Sequence, residues 1–152
     1  QEFNINGLNK VEFYICTNIG ETTKPLVKVA SGGEMSRLML AIKSVFAKTD
    51  DVPVLVFDEI DTGISGKAAK AVGEKLKIIS KVHQVICITH LAPIAARGDY
   101  NYYISKNVRE EKTVTTIKQL NEEETINEIA RIATGEVTEI SKQHAIELRK
   151  AS

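Results

Sequence analysis

The spacing of hydrophobic residues changes from a period of two to a helical period within the first third of the chain. Apolar and polar residues alternate over 11–17, as in a strand, and the run PLVKVA (25–30) predicts a second short extended segment. From 34 to 48, apolar residues recur at the spacing of one helix face. The residues predicted to face the core from this helix are Leu38, Ile42 and Val45 or Phe46.

Strand and helix patterns then alternate through the centre of the chain. Residues 52–57 are continuously apolar, which is typical of a strand covered on both faces in a parallel sheet, and residues 84–89 repeat that pattern. Between them, 65–80 has a helical composition, and the short segment 91–98 is also predicted to be helical. The apolar stripe of the longer helix is Val72, Leu76 and Ile79. This order predicts an α/β fold.

The last third of the chain is predicted to form a β-hairpin followed by two helices. Residues 100–105 and 113–119 alternate around the charged turn NVREEK. The predicted helices are 122–134, capped by Gly135, and 138–150, and the first would turn Ile126, Ile129 and Ile132 or Ala133 inward. Residues 1–152 are therefore predicted to be a single α/β domain, with a mostly parallel central sheet flanked by helices, a late hairpin and two C-terminal helices.

Composition and charge argue against several classes of protein. Hydrophobic residues make up 43% of the chain and charged residues 26%, as in ordinary globular domains. The 20 basic residues balance the 20 acidic ones, which gives no support for a dominant nucleic-acid or membrane surface. No apolar stretch approaches the ~20 residues that span a bilayer. The first residues contain neither a secretory signal nor an initiator Met, which predicts a piece of a longer protein.

The cysteines and two of the histidines offer no pattern of metal ligands. Cys16 and Cys87 lie in apolar runs without a CxxC partner, which predicts two buried, reduced thiols and fits a cytoplasmic protein. His83 and His144 are predicted at surface or helix positions, with no ligand set nearby. We therefore expect the chemistry of the chain to lie elsewhere.

Two neighbouring buried strands end in polar residues that suit nucleotide hydrolysis. Asp58 and Glu59 follow one strand, and His90 follows the next, so that all three are expected at one edge of the sheet. Taken singly, a strand-end acid is often a helix cap and a lone His is usually structural. Together, an Asp for hydrated Mg²⁺, a Glu for the attacking water and a His for a phosphate predict a phosphoryl-transfer site.

The phosphate cradle that such a site requires is missing in its usual form. The pattern G-x-x-x-x-G-K-[ST] is absent, and GISGKA (63–68) has its glycines three apart and Ala68 in place of the hydroxyl, so it is predicted to be a turn into a helix. A second glycine-rich stretch, SGG at 31–33, precedes a predicted helix and supplies a possible anion site. Ser31 alone would be explained equally well as a helix N-cap.

Four motifs in sequence order resemble those of ABC-type ATPases. ASGGEMSR (30–37) resembles the signature motif, VLVFDEID (54–61) the Walker B strand, DTGISG (61–66) the D-loop and ITH (88–90) the switch-histidine loop. The longer stretches around them resemble the RecN family of bacterial SMC-like DNA repair proteins. The resemblance covers nearly the whole chain and corresponds to the C-terminal lobe of the ATPase head.

The resemblance implies a role for each matching residue. Asp58 would hold Mg²⁺ through a water, Glu59 would position the attacking water, and His90 would contact the γ-phosphate of ATP. Arg37 would pair with phosphate or DNA, or form a surface salt bridge. The implied nucleotide-binding residues are Ser31, Gly32, Gly33 and Glu34, which act on ATP held by the opposite subunit, and Asp61 of the D-loop at the dimer interface.

The resemblance also implies partners that this chain does not contain. The Walker A loop and a coiled coil would belong to the rest of the full-length protein. A second copy of the head would complete an ATP-bridged homodimer, and DNA would be bound by the complete protein in the bacterial cytoplasm, at the nucleoid and away from membranes. The fragment alone is expected to be inactive because it lacks Walker A.

Two other readings of the same residues remain open. Another SMC-family or Walker-type NTPase, such as a helicase, explains Asp58 and Glu59 but not SGGEMSR followed by His90. A catalytically silent interaction module would be free to lose some of the site residues, and here the full set is present. An upstream coiled coil in the parent gene would separate the first alternative from the SMC-like interpretation.

Overall fold

The computed structural model describes residues 5, 7–16, 20, 22–28, 31–47, 49, 51–109 and 112–150. The strands of this part are β1 (Tyr14–Ile15), β2 (Lys24–Pro25), β3 (Val54–Phe57), β4 (Gln84–Cys87), β5 (Tyr102–Arg109) and β6 (Lys112–Gln119). The helices are α1 (Gly32–Phe46), α2 (Gly66–Ile79), α3 (Ala92–Ala95), α4 (Glu122–Thr134) and α5 (Glu139–Lys150), with a 3-10 turn at Leu26–Lys28. The α/β prediction is confirmed, although the described strands form one parallel and two antiparallel pairs rather than one mostly parallel sheet.

A pair of parallel strands, β3 and β4, forms the centre of the fold. They pair from Val54 with Gln84 to Phe57 with Cys87, and α2 makes the crossover between them. One face of the pair packs on α1 and α2. The buried core there consists of Leu40, Leu55, Phe57, Ile60, Ala69, Leu76, Ile79 and Ile94.

The prediction that β3 is covered on both faces is wrong. Leu55 and Phe57 point into the core, but Val56 is 63% exposed and its neighbour Ile86 on β4 is 48% exposed. These side chains lie on the opposite face of the pair, which no described element covers well enough to bury them. A continuously apolar strand is buried on both faces only where other elements cover both sides of its sheet.

The start of α1 and its buried face both differ from the prediction. Ser31 is the N-cap, so the helix begins at Gly32 rather than at 34. Leu40 is buried, whereas the predicted inward residues Val45 and Phe46 are 78% and 57% exposed, so that part of the prediction is wrong. Apolar side chains occur on several faces of this helix, so their periodicity does not single out the face that packs.

The C-terminal helices form a second core with α3. Its buried residues are Ala92, Ala96, Ile129, Ala130 and Ala145. Helix α4 has the predicted bounds, and Gly135 ends it in a left-handed conformation with φ of 84°. Asn121 caps the other end with a reciprocal bond to Glu124. Strong signals at both ends explain why this helix is predicted correctly.

The remaining strands pair antiparallel. The predicted hairpin is confirmed as β5 and β6, which pair from Tyr102 with Gln119 to Arg109 with Lys112. These strands extend into the predicted NVREEK turn, of which 110–111 lie outside the described residues. The predicted strand 11–17 is reduced to β1, and its last residue lies outside the described part. The extended segment 25–30 is replaced by the end of β2 and a 3-10 turn, with 29–30 outside the described part.

Two expectations about exposure are wrong. Cys16 is exposed and Cys87 is half-buried, although both were expected to be buried. His83 is buried, with 6% of its surface exposed, and its Nδ1 lies 2.7 Å from the carbonyl oxygen of Val52. Within the described residues, no helix has the length and apolar character needed to cross a membrane.

Candidate functional site

The carboxyl ends of β3 and β4 lie side by side, as expected for parallel strands. The pairing continues past the strands, since the amide of Ile88 donates to the carbonyl oxygen of Phe57 at 3.0 Å. The loop 58–62 leaves β3 at this edge, and 88–91 leaves β4. The predicted acids and His90 therefore share one edge of the sheet.

Glu59 occupies an unusual backbone conformation directly after β3. Its φ is +57°, and it is the one residue other than glycine with positive φ in the described part of the chain. Its amide donates to Asp58 Oδ1 at 2.8 Å, and its carbonyl oxygen accepts from the amide of Thr62 at 3.0 Å. Both acidic side chains are exposed. The turn thus presents two carboxylates to solvent at the strand end.

Helix α1 is fastened to this turn by two side chains from its first half. Ser36 Oγ donates to the carbonyl oxygen of Asp58 at 2.7 Å. Arg37 Nη1 donates to the carbonyl oxygens of Ile60 at 3.1 Å and Thr62 at 2.9 Å. Arg37 forms no ion pair among the described residues, and its donations hold the loop after β3 against α1.

The glycines at the start of α1 permit its close approach to the loop. A Cβ at Gly32 would lie 1.9 Å from Glu59 Oε2, so the Glu59 carboxylate rests against that glycine. A Cβ at Gly33 would lie 2.8 Å from the Glu59 carbonyl oxygen and 3.0 Å from Thr62 Cβ. The predicted anion site and the predicted catalytic glutamate are thus adjacent in this chain.

Ser31 and Glu34 form a reciprocal capping box at the same helix end. Ser31 Oγ accepts from the amide of Glu34 at 3.3 Å, and Glu34 Oε2 accepts from the amide of Ser31 at 3.2 Å. Each side chain thereby satisfies an amide that the helix leaves without an internal partner. The amides of Gly32 and Gly33 follow in the first turn, where helix N-termini attract anions.

Asp61, in the loop after β3, is hydrogen-bonded to the segment that follows β4. It is 3% exposed, and its Oδ2 accepts from Thr89 Oγ1 at 2.6 Å and from the amide of His90 at 2.7 Å. His90 Nδ1 lies 3.1 Å from the same oxygen, while the His90 side chain remains 72% exposed. Thr89 was not predicted as a site residue, and its contact with Asp61 is visible only in the structure.

Asp58, one of the two exposed acids at this edge, is the residue predicted to hold a metal ion. The described residues contain no group of three or more His, Cys, Asp or Glu side chains arranged to hold a metal. Asp58 is exposed and uses Oδ1 for the Glu59 amide. One such carboxylate fits Mg²⁺, which retains most of its water and takes its other ligands from phosphates.

Cys87, at the end of β4, is unsuited to nucleophilic or metal chemistry. Burial, with smaller contributions from the charges of Asp61 and Asp58, raises the pKa of its thiol to about 12. The thiolate is the form that attacks or binds metals, so Cys87 stays neutral and inert near neutral pH.

Comparison with known proteins identifies relatives along nearly the whole chain. It is 50% identical over 147 residues to DNA repair protein RecN of Halalkalibacterium halodurans, covering 96% of this chain and 26% of that protein. It is 50% identical over 145 residues to RecN of Bacillus subtilis, with 95% and 25% covered, and 46% identical over 146 residues to RecN of Treponema pallidum, with 95% and 26% covered. The predicted resemblance is confirmed, and the chain spans about a quarter of the length of these relatives.

Two further comparisons complete this set. No family model matches the chain. A solved structure from work on ATP-driven dimerization and DNA-stimulated activation of SMC ATPases matches with a TM-score of 0.47 and 23% identity, covering 70% of this chain and 63% of that one.

Proposed function

The chain is homologous to RecN DNA repair proteins over about a quarter of their length, and on that premise we propose that it is the C-terminal lobe of an SMC-like ATPase head. The complete protein would hydrolyse ATP during recombinational repair of DNA double-strand breaks. The observation that carries this proposal is that Asp58, Glu59 and His90, all exposed, share the carboxyl edge of the parallel strands β3 and β4. These side chains suit hydrated Mg²⁺, activation of a water molecule and contact with a phosphate.

The proposed catalytic groups lie at the carboxyl edge of the parallel strands. Glu59 orients the attacking water, and His90 contacts the γ-phosphate. Asp58 would hold Mg²⁺ through a water, and the ion would supply charge stabilisation at the phosphates. The exposure of all three side chains leaves them accessible to a nucleotide carried by another part of the complete protein.

The proposed nucleotide contacts at α1 act between two copies of the head. Ser31, Gly32, Gly33 and Glu34 form the first turn and its cap, and we assign them to the γ-phosphate of ATP held by the opposite copy. An N-terminal lobe with the Walker A loop holds ATP on each copy. ATP then links the heads, because a helix end offers its amides to a phosphate that approaches from outside.

Hydrolysis in this arrangement is coupled to movement. Loss of the γ-phosphate removes the anion between the heads and weakens their contact. Closure and release of the heads would move the coiled coil and the DNA that the complete protein binds in the bacterial cytoplasm. The partners of this chain are therefore its own N-terminal lobe, a second head and, through the complete protein, DNA.

Replacement of the proposed catalytic acid tests this function. Glu59→Gln in the complete protein is expected to reduce kcat for ATP hydrolysis by roughly 10²–10³-fold, the usual cost of removing one preorganised catalytic group. Mg-ATP binding and ATP-dependent dimerisation should persist, because the amide keeps the size of the side chain. Steady-state hydrolysis and sedimentation with ATP measure the two properties.

The matched control is Glu123→Gln, the same chemical change at an exposed residue of α4. It should leave hydrolysis and dimerisation unchanged. Full turnover by the Glu59→Gln protein would rule out the assignment of Glu59. A complete protein that binds no Mg-ATP would favour the silent interaction module.

A further inference from the structure

Three groups that follow β4 contact a single oxygen atom of the Asp61 carboxylate. Oδ2 accepts from Thr89 Oγ1 and from the His90 amide, and it lies 3.1 Å from His90 Nδ1. Thr89 Oγ1 in turn accepts from the amide of Leu91 at 3.1 Å. This chain of contacts fixes the backbone and the side chain of His90 through one buried group.

Burying the Asp61 carboxylate costs desolvation free energy. A neutral side chain could hold the loop after β4 by hydrogen bonds without that cost. Asp61 is 3% exposed, and removing a carboxylate from water is unfavourable unless it is paired and hydrogen-bonded. A neutral side chain such as Asn could accept from Thr89 and the His90 amide without that cost. Among the described groups in contact with Asp61 Oδ2, the imidazole is the one that can carry a positive charge.

The contact also determines which ring nitrogen of His90 carries hydrogen. A lone pair on Nδ1 facing a carboxylate oxygen at 3.1 Å would be repelled, whereas an N–H there is attracted. Nδ1 is therefore protonated. The other ring nitrogen, Nε2, belongs to a side chain that is 72% exposed.

We propose that Asp61 is a positioning residue that orients His90 and fixes its tautomer. Nε2 then becomes the atom that His90 offers at the edge shared with Asp58 and Glu59. When a neighbouring carboxylate orients an imidazole, the ring already has the required rotamer and tautomer before the reaction begins. The catalytic consequence rests on the proposed function, but the tautomer does not.

Nitrogen NMR of the imidazole rings tests the orientation directly. The chain has three histidines, so ¹⁵N-histidine labelling yields a simple spectrum, and His90→Gln identifies the His90 signals. At a pH where the ring is neutral, wild-type His90 should show a protonated Nδ1 and an unprotonated Nε2. An Nε2–H tautomer in the wild-type chain would overturn the proposal.

Two variants and a control separate this role from a purely structural one. Asp61→Asn weakens the acceptor, and Asp61→Ala removes it, so both should reduce the Nδ1–H population of His90. Asp99→Asn alters an exposed carboxylate paired with Lys77 and should leave the His90 tautomer unchanged. If Asp61→Ala does not fold, the wild-type tautomer and Asp61→Asn still decide the matter. An unchanged tautomer in a folded Asp61→Ala chain would contradict the proposal.

A double-mutant cycle in the complete protein tests the catalytic consequence. Asp61→Asn and His90→Ala should each reduce kcat, by about 10- to 100-fold for the positioning residue. The double variant should be no slower than His90→Ala alone, because Asp61 acts through the ring. Losses that multiply would contradict this role. Absence of ATP hydrolysis by the wild-type protein would count against the proposed function, while the NMR result would stand on its own.

Discussion

At the scale of single residues, the site depends on a strained glutamate beside two glycines. A left-handed conformation costs a non-glycine residue roughly 1–3 kcal/mol, and Glu59 adopts it with φ of +57°. The amide of Thr62 and the Asp58 carboxylate hold it there. The sequence indicates the acids but not this conformation, because Glu has no local preference for it. Gly33 lies close against the Glu59 carbonyl oxygen, a contact between distant parts of the chain that local sequence does not reveal.

The two glycines should respond differently to alanine. Gly33→Ala places a Cβ 2.8 Å from a backbone oxygen, so we expect a loss of about 1–3 kcal/mol in the free energy of unfolding. Gly32→Ala meets the end of the flexible Glu59 side chain, which can move aside. Its expected change is below about 1 kcal/mol, because alanine also favours the helix. Urea denaturation of the two variants measures both values.

Each glycine variant serves as the control for the other, since both add one methyl group in the first turn of α1. Equal stability of the two proteins, or greater damage from Gly32→Ala, would contradict the described packing of α1 against the loop.

At the scale of elements, local signals predict boundaries better than they predict packing faces. Helix α4 is predicted at both ends because Asn121, Glu124 and Gly135 specify its caps. For α1 the periodicity indicates a helix but wrongly turns the exposed residues at its C-terminal end inward. The contact that orients α1 is made instead by Gly33, Ser36 and Arg37 against the loop after β3, and glycine and polar side chains leave no trace in a hydrophobic pattern.

The contribution of the Arg37 hydrogen bonds between α1 and the loop after β3 to the free energy of unfolding can be measured by substitution. Arg37→Ala removes both donations from Nη1 to the carbonyl oxygens of Ile60 and Thr62. Hydrogen bonds to charged groups contribute about 1.5–3 kcal/mol, so the free energy of unfolding should fall by that order. Chemical denaturation provides the measurement.

Arg131→Ala is the matched control, because Arg131 pairs with Glu128 on the surface of α4 with 51% of its side chain exposed. Exposed ion pairs contribute about 0–1 kcal/mol, so this variant should be nearly as stable as wild type. If Arg37→Ala is no more destabilising than Arg131→Ala, the fastening role of Arg37 is wrong.

At the scale of the whole molecule, the uncovered face of the parallel strands agrees with the proposal that this chain is half of a head. Val54, Val56, Ile86 and Ile88 are each at least 39% exposed, although their strands are as apolar as strands buried on both sides. The chain also matches only about a quarter of the length of its RecN relatives. The missing Walker A pattern is the basis in the sequence for the half-head prediction, whereas the exposed face is visible only in the structure.

The half-head proposal is tested most directly by calorimetric titration of Mg-ATP into this chain and, in parallel, into the complete protein. Concentrations near ~100 μM detect even weak binding. The proposal predicts no detectable binding by the chain alone and micromolar binding by the complete protein, because the phosphate cradle lies on the other lobe. Micromolar binding by the chain alone, or no binding by the complete protein, would contradict it.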